Sequence, residues 1–200
     1  MIVVGLTGNL ASGKGASAKI FKKLGARVLD ADAAARKLTR KGTPLYRAIV
    51  KIFGKTFLEK GGQLDRRKLA WHVFSHPGDL NKLNILIHPG VIFEAYKAIE
   101  AGKRKKGVLV LDVPLLFESH MERMVDVTVV VKSSRERMLA RAVKRGVPRP
   151  LAQKILASQW PPARKAALAD FVIENNGSLA RLEAGVKKVY REINKEKLKM

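Results

Sequence analysis

Short apolar runs recur along the chain, and segments with helical spacing separate them. Five runs predict strands: IVVGLT (2–7), ARVLDAD (26–32), VLVLDVP (108–114), VDVTVVV (125–131) and FVIEN (171–175). Nearly continuous apolar runs of this length are typical of strands that are buried on both faces of a parallel sheet. The alternation of strands and helices therefore predicts an α/β fold with a doubly wound parallel sheet of about five strands.

Helical spacing is clearest in three segments. Residues 15–24 carry apolar side chains on one side and end at Gly25, a plausible C-cap. Residues 133–145 begin with Ser133 and Glu136 in capping-box spacing. Residues 178–198 carry an apolar face made of Leu179, Leu182, Val186, Val189, Tyr190 and Ile193.

The long interval 33–107 differs from the rest of the chain, because it predicts several helices and no strand. We interpret it as a helical lobe inserted into the α/β core. Such a lobe is expected over the carboxyl ends of the strands, where open α/β sheets bind their ligands.

Composition narrows the possible partners. The chain has 200 residues with 40 Lys plus Arg against 17 Asp plus Glu, which gives a net charge of +23, and it contains no cysteine. Disulfides, thiolate-bound zinc and a catalytic cysteine are therefore excluded. The charge favours a polyanionic partner, either a nucleic acid or a small phosphorylated substrate. The aromatic residues do not interleave with a basic strand face as a stacking platform requires, so we expect no nucleic acid partner.

Membrane association is not expected either. The chain opens on Ile2, Val3 and Val4 without a basic leader, and its apolar stretches are shorter than a span of about 20 residues. These features predict a cytoplasmic protein.

A GxxxxGK sequence lies between the first predicted strand and the first predicted helix. Backbone N–H groups of such a loop and of the helix after it surround a polyphosphate, and the lysine adds a charge at the terminal phosphates. The alternative is a tight turn with a solvated lysine. The pattern predicts a phosphate-binding loop for ATP, built from Gly8, Asn9, Leu10, Ala11, Ser12, Gly13, Lys14, Gly15 and Ala16.

The eighth position of this motif departs from the usual sequence. Serine or threonine normally stands there and binds Mg²⁺, whereas this chain has Gly15. Ser17 would face another direction on a helix that turns by about 100° per residue. Ser12, or a water held by an acidic residue, could replace the hydroxyl. We therefore expect weak or altered Mg²⁺ dependence.

Three strings together carry a family resemblance: GLTGNLASGKG at the start, VLDADAAAR at 28–36 and LDVPLLFE at 111–118. They resemble bacterial dephospho-coenzyme A kinases, and the likeness continues through LDRRKL (64–69), LASQ (156–159) and VIENNGS (172–178). The family phosphorylates the ribose 3′-hydroxyl of dephospho-CoA with ATP and Mg²⁺.

The resemblance also implies a division of the chain into three parts. These are a P-loop core (about 1–32, 108–134 and 168–200), a CoA-binding helical lobe (about 33–107) and a lid (about 135–167). We expect a monomer or a weak homo-oligomer.

Two acidic residues receive roles from this resemblance. Asp32, the second aspartate of DAD, would accept the proton of the attacking hydroxyl. Its alternative role is the N-cap of the following helix. Asp112 would act as the acidic residue that contacts Mg²⁺ through water, and its alternative role is an ion pair with a nearby lysine or arginine.

The acceptor side is implied by two further motifs. Pro114, Leu115, Leu116 and Glu118 match the segment that lines the acceptor, although the leucines could equally form a buried corner. His88 lies in an IHP string associated with the acceptor, or is simply packed in the lobe.

Three residues remain for the nucleotide side. Arg141 and Arg145 lie four residues apart, hence on one helix face, where guanidinium groups can bind phosphate oxygens or can lie on the surface. We assign catalysis to Arg145 together with Lys14 and Asp32, and ATP contacts to Arg141 and Asn175.

Two other functions stay open. One is a P-loop kinase for a different nucleoside or nucleotide, which the DVPLLFE string argues against. The other is a degenerate nucleotide-binding protein that has lost the hydroxyl at Gly15 and does not catalyse transfer.

Overall fold

The five predicted strands form one parallel sheet in the computed structural model, which describes residues 1–196. The strands are β1 (Ile2–Thr7), β2 (Arg27–Asp30), β3 (Val108–Asp112), β4 (Val127–Lys132) and β5 (Phe171–Glu174). Their order in the sheet is β2-β3-β1-β4-β5, and every neighbouring pair is parallel. The predicted fold class is confirmed.

Helices account for most of the remaining chain. Within residues 1–196 they are α1 (Lys14–Lys23), α2 (Ala31–Leu38), α3 (Pro44–Phe53), α4 (Arg66–Val73), α5 (Pro77–Glu100), α6 (Arg135–Lys144), α7 (Arg149–Ser158), α8 (Pro162–Ala167) and α9 (Leu179–Glu196), with 3-10 turns at Lys55–Phe57 and Met121–Met124. The last residues of the helix predicted over 178–198, and of the core segment predicted over 168–200, lie outside the described residues. No described helix combines the length and the apolar character of a membrane span.

One face of the sheet packs against α1 and α9. Val4 and Leu6 of β1 meet Phe21 of α1, and α9 adds its predicted apolar face, in which Leu182, Val186, Val189 and Ile193 are buried. The prediction is wrong for Leu179, which is 66% exposed at the start of α9. The helix that follows the GxxxxGK motif is therefore anchored directly to the sheet.

The start of α6 also differs from its prediction. Ser134, rather than Ser133, is the N-cap, and its Oγ accepts a hydrogen bond from the Arg137 N–H at 3.4 Å. Ser133 is buried, and its hydroxyl donates to the Asn175 carbonyl at 2.9 Å. The predicted capping box is one residue out of register, because the Ser133 hydroxyl bonds to the turn after β5 and does not cap α6.

The helical interval forms a compact unit of its own, Ala31–Glu94, and a second unit holds the sheet. Its core contains Ile49, Leu64, Leu69 and Val73, which come from α3, α4 and the turn before α4. Among its described residues the only extended pairing is an isolated antiparallel bridge between Leu58 and Leu64. This unit ends at Glu94, within α5, whereas the CoA-binding lobe predicted over 33–107 stays a prediction.

Candidate active site

The phosphate loop begins where β1 ends, next to β3. Leu6 of β1 lies opposite Asp112, the last residue of β3, and the loop leads from Gly8 into α1. Lys14, the first residue of α1, donates from its Nζ to Oδ1 of Asp112, which is buried. The loop lysine and the strand-end carboxylate, predicted from separate motifs, are therefore in contact. The alternative role of Asp112, an ion pair, is observed with this lysine as the partner.

Close packing explains two glycines of the loop, Gly8 and Gly13. Gly13 has φ +110°, and a Cβ at this position would collide with Nδ2 of Asn175. A Cβ on Gly8 would lie 2.6 Å from the Val131 carbonyl oxygen. Because contacts this short do not occur for real Cβ atoms, any larger residue would displace the loop.

Two side chains hold the loop by hydrogen bonds to its backbone. Asn175 donates from Nδ2 to the Ser12 carbonyl at 2.6 Å, and Arg141 donates from Nη1 to the same oxygen at 3.4 Å. Arg141 also donates from Nη2 to the Asn175 carbonyl at 2.9 Å. Burial lowers the pKa of Arg141, and the charges of Arg137 and Arg145 lower it further. Both residues thus contact the loop backbone, and their contact with ATP stays a prediction.

Replacing Asn175 with alanine should loosen the loop. The variant removes a buried amide that donates a hydrogen bond to the Ser12 carbonyl. We therefore expect the free energy of unfolding to fall by about 1–3 kcal/mol and the KM for ATP to rise. Chemical denaturation and initial rates at varied ATP measure the two effects. Asn81→Ala, at an exposed position of α5, is the matched control. An unchanged KM for ATP in Asn175→Ala would contradict the supporting role.

The hydroxyl candidates around Gly15 have different surroundings. Gly15 is exposed, and no atom lies within 4 Å of a Cβ placed on it. The Ser17 hydroxyl is buried and donates back to the Gly13 carbonyl at 3.3 Å, so it is already engaged. The buried Ser12 Oγ has no hydrogen-bond partner among the described residues. Of the two serines, only Ser12 therefore keeps its hydrogen-bonding capacity unused.

The segment after β3 is tied to the core. The Pro114 carbonyl accepts a hydrogen bond from the Thr7 hydroxyl at 3.0 Å. Leu116 is fully buried against β1, where a Cβ on Gly5 would lie 2.8 Å from it. Full burial agrees with the buried-corner interpretation of Leu116, and its contact with the acceptor stays a prediction. Leu115 is half-buried.

Sequence reasoning missed a second set of contacts to the loop, made by the connection between α7 and α8. The Leu10 N–H donates to Oε1 of Gln159, and Nδ2 of Asn9 donates to the Trp160 carbonyl, both at 2.9 Å. Lys165 of α8 forms an ion pair with Glu118 at 2.8 Å. The LASQ string pointed to Gln159, whereas nothing distinguished Lys165 among 40 basic residues. Arg145 is exposed at the end of α6.

Asp32 and His88 lie in the helical unit. Asp32 is exposed in the first turn of α2, which begins at Ala31, so it lies inside the helix and is not its N-cap. His88 is half-buried in α5, immediately before Pro89. Burial lowers the pKa of His88, which favours the neutral imidazole. Asp32 therefore does not cap α2, which was the structural alternative to its predicted catalytic role.

Sequence comparisons with known proteins agree on one family. The dephospho-CoA kinase family model matches residues 2–181. The chain is 37% identical to a dephospho-CoA kinase of Enterococcus faecalis, over 95% of this chain and 96% of that protein. A Thermus thermophilus structure superposes with a TM-score of 0.76 at 33% identity, covering 96% of this chain and 97% of that one. Dephospho-CoA kinase from Campylobacter jejuni gives 0.70 at 26% identity, with 98% of both chains covered.

Since the family model and the E. faecalis relative both cover nearly the whole chain, the protein belongs to the dephospho-CoA kinase family and is an ATP-dependent kinase.

Proposed function

We propose that this kinase transfers the γ-phosphoryl group of ATP to the ribose 3′-hydroxyl of dephospho-CoA at the carboxyl ends of β1 and β3. The contact between Lys14 and the buried Asp112, beside a phosphate loop, is the observation that carries the proposal. The family match argues against a different acceptor and against a degenerate nucleotide-binding protein. In this assignment the helical lobe binds dephospho-CoA and residues 135–167 form a lid.

ATP binding uses the loop and its lysine. Leu10 and Ser12 already donate their N–H groups to Gln159 and to the Asn9 carbonyl, so other backbone N–H groups of the loop and of the start of α1 provide donors for the phosphates. Lys14 supplies a positive charge. Arg145 is exposed, and its side chain makes no ion pair with any described residue, so it can compensate charge on the transferring group. Phosphoryl transfer depends mainly on positioning and on such charge compensation.

Asp32 accepts the proton in the proposed reaction. The ribose 3′-hydroxyl oxygen attacks the γ-phosphorus, its proton passes to the Asp32 carboxylate, and the bond to the β-phosphate oxygen breaks to release ADP. Asp32 is exposed and does not cap α2, and both observations support this assignment. We propose that His88, Pro114, Leu115 and Glu118 contact the acceptor.

The donor set around Asp112 fits Mg²⁺. Residues 1–196 contain no group of three or more His, Asp or Glu side chains placed to hold a metal, so one carboxylate would serve with waters and ATP phosphates. Mg²⁺ commonly keeps several waters and binds through one or two carboxylates plus substrate phosphates. Asp112 would hold the ion through water, and the ion would neutralise phosphate charge when bound.

Product analysis tests the proposed function. Purified protein with ATP, Mg²⁺ and dephospho-CoA should yield CoA whose new phosphate is at the ribose 3′ position by ³¹P and ¹H NMR. A panel of nucleosides and nucleotides should be poor acceptors. Preferential phosphorylation of another acceptor, or no turnover by the folded protein, would contradict the proposal.

Gly15→Ser should improve Mg²⁺ use. The position has room for the side chain, and serine there restores the hydroxyl that P-loop motifs use for the ion. We expect a lower apparent Kd for Mg²⁺ and a higher kcat at limiting Mg²⁺, measured by titrating Mg²⁺ at fixed ATP. Gly15→Ala is the matched control, because it changes the helix without adding an oxygen. Equal Mg²⁺ affinity in the two variants would refute the prediction.

A further inference from the structure

Lys165 is a fully buried lysine in the unit that holds the sheet. Its side chain is 0% exposed, and its Nζ donates to Oε1 of Glu118 at 2.8 Å and to the Pro114 carbonyl at 2.9 Å. Burial lowers the pKa of Lys165 and the nearby charge of Lys14 lowers it further, whereas Glu118 opposes the shift. Buried lysines are rare and costly, so these contacts call for a physical explanation.

The partners of Lys165 connect to the end of β1 and to the first half of the phosphate loop. The Pro114 carbonyl also accepts from the hydroxyl of Thr7, the last residue of β1. Glu118 Oε1 also accepts from the Trp160 N–H at 3.0 Å. The adjacent residues Gln159 and Trp160 accept hydrogen bonds from the loop at Leu10 and Asn9.

One ammonium group therefore links three parts of the chain. These are the end of β1 with the first half of the phosphate loop, the segment that follows Asp112, and the connection from α7 to α8. Lys14 lies four residues after Leu10 in the loop, and Asp112 lies two residues before Pro114. A displacement at Lys165 would therefore be transmitted to both members of the Lys14–Asp112 pair.

We propose that Lys165 is a positioning residue for phosphoryl transfer, which holds the phosphate loop and the segment after β3 in a single arrangement through Glu118 and the Pro114 carbonyl. It does not touch the reacting groups. The proposal rests on the proposed role of Lys14 and Asp112 at the ATP phosphates.

Positioning predicts a particular kinetic signature. Misplacing reacting groups by about 1 Å can cost about 100-fold in rate, even when substrates still bind. In K165M we expect kcat to fall by about 30-fold or more, with each KM changed by less than about 3-fold. Lys154→Met removes an exposed lysine of α7 and is the matched control, with kcat unchanged.

Stability must be separated from positioning, because K165M leaves Glu118 buried without its cation. The double variant K165M/E118Q removes both charges, and E118Q alone measures any loss of activity that comes from the proposed acceptor contact of Glu118. If Lys165 positions the loop, the double variant regains stability while its kcat stays well below that of E118Q, since the Pro114 carbonyl has lost the Lys165 donor and keeps only the Thr7 hydroxyl. Recovery of kcat in parallel with stability would overturn the proposal.

Amide hydrogen exchange gives a readout that is independent of activity. The Leu10 N–H, donated to Gln159, should exchange at least about 10-fold faster in K165M than in the wild type, relative to the Val4 N–H of β1. Unchanged protection of Leu10, or a kcat within about 3-fold of wild type, would overturn the proposal. A wild-type protein that is inactive on dephospho-CoA would instead refute the proposed function, and the exchange at Leu10 would still test Lys165.

Discussion

Replacing Lys14 with methionine is expected to lower kcat for phosphorylation of dephospho-CoA by about 10²–10³-fold. The ammonium group is the cation nearest to Asp112 at the loop, and methionine keeps the length of the side chain without its charge. Charge on the transferring phosphoryl group would then lose a donor that is fixed at the start of α1. Initial rates at saturating ATP and dephospho-CoA, with the folded fraction measured in parallel, give the effect.

The same variant breaks the buried ion pair between Lys14 and Asp112. Breaking a buried ion pair by removing one partner typically costs about 3–5 kcal/mol, so chemical denaturation must show that the variant is folded under assay conditions. Lys19→Met removes an exposed lysine from the same helix and should change neither kcat nor stability appreciably. A folded Lys14→Met variant with wild-type kcat would exclude the proposed role of Lys14.

Asp32→Asn is expected to lower kcat by about 10²–10⁴-fold with little change in either KM. Asparagine is close in size and keeps a hydrogen-bond acceptor, but it cannot take the proton of the 3′-hydroxyl. Since Asp32 is exposed and does not cap α2, the variant should cost little stability. The pH profile supplies a second readout, because the acidic limb that reports an essential base should disappear from kcat.

Glu59→Gln is the matched control for this charge change, at an exposed position of the helical unit. Its kcat should equal that of the wild type. Asp32→Asn with normal kcat would remove Asp32 from the mechanism, and the ribose hydroxyl would then need another proton acceptor. A change confined to the KM for dephospho-CoA would indicate substrate binding instead.

Local sequence patterns were sufficient to predict the strands and the phosphate loop. Apolar runs bounded by turns predicted all five strands, because a parallel sheet buries both faces of its strands. The GxxxxGK sequence predicted the turn from β1 into α1, since its glycines permit close packing that no other residue allows. Local patterns were wrong at Ser133, whose hydroxyl bonds to the Asn175 carbonyl and does not cap α6, and at Leu179, which is exposed. At both positions tertiary contacts determine the environment of the side chain.

The net charge of +23 indicated a polyanionic partner without identifying it. Lys165 is fully buried in an ion pair with Glu118, so not every basic side chain near the loop is available to phosphates. Steering of ATP and dephospho-CoA by the remaining charge stays a prediction, as does the absence of a nucleic acid partner. A weak dependence of kcat/KM on ionic strength would contradict steering.

By itself the sequence determined the family, the succession of strands and helices along the chain, and the residue types at the phosphate loop. These features depend on local patterns and on strings that the chain shares with its relatives. Only the tertiary structure decided which side chains meet. Lys14 reaches Asp112 across 98 residues, Asn175 reaches Ser12 across 163, and Lys165 lies buried against Glu118. Such pairs carry no periodic signal, since parallel strands bring distant segments to one edge and burial alone then determines which charges must be paired.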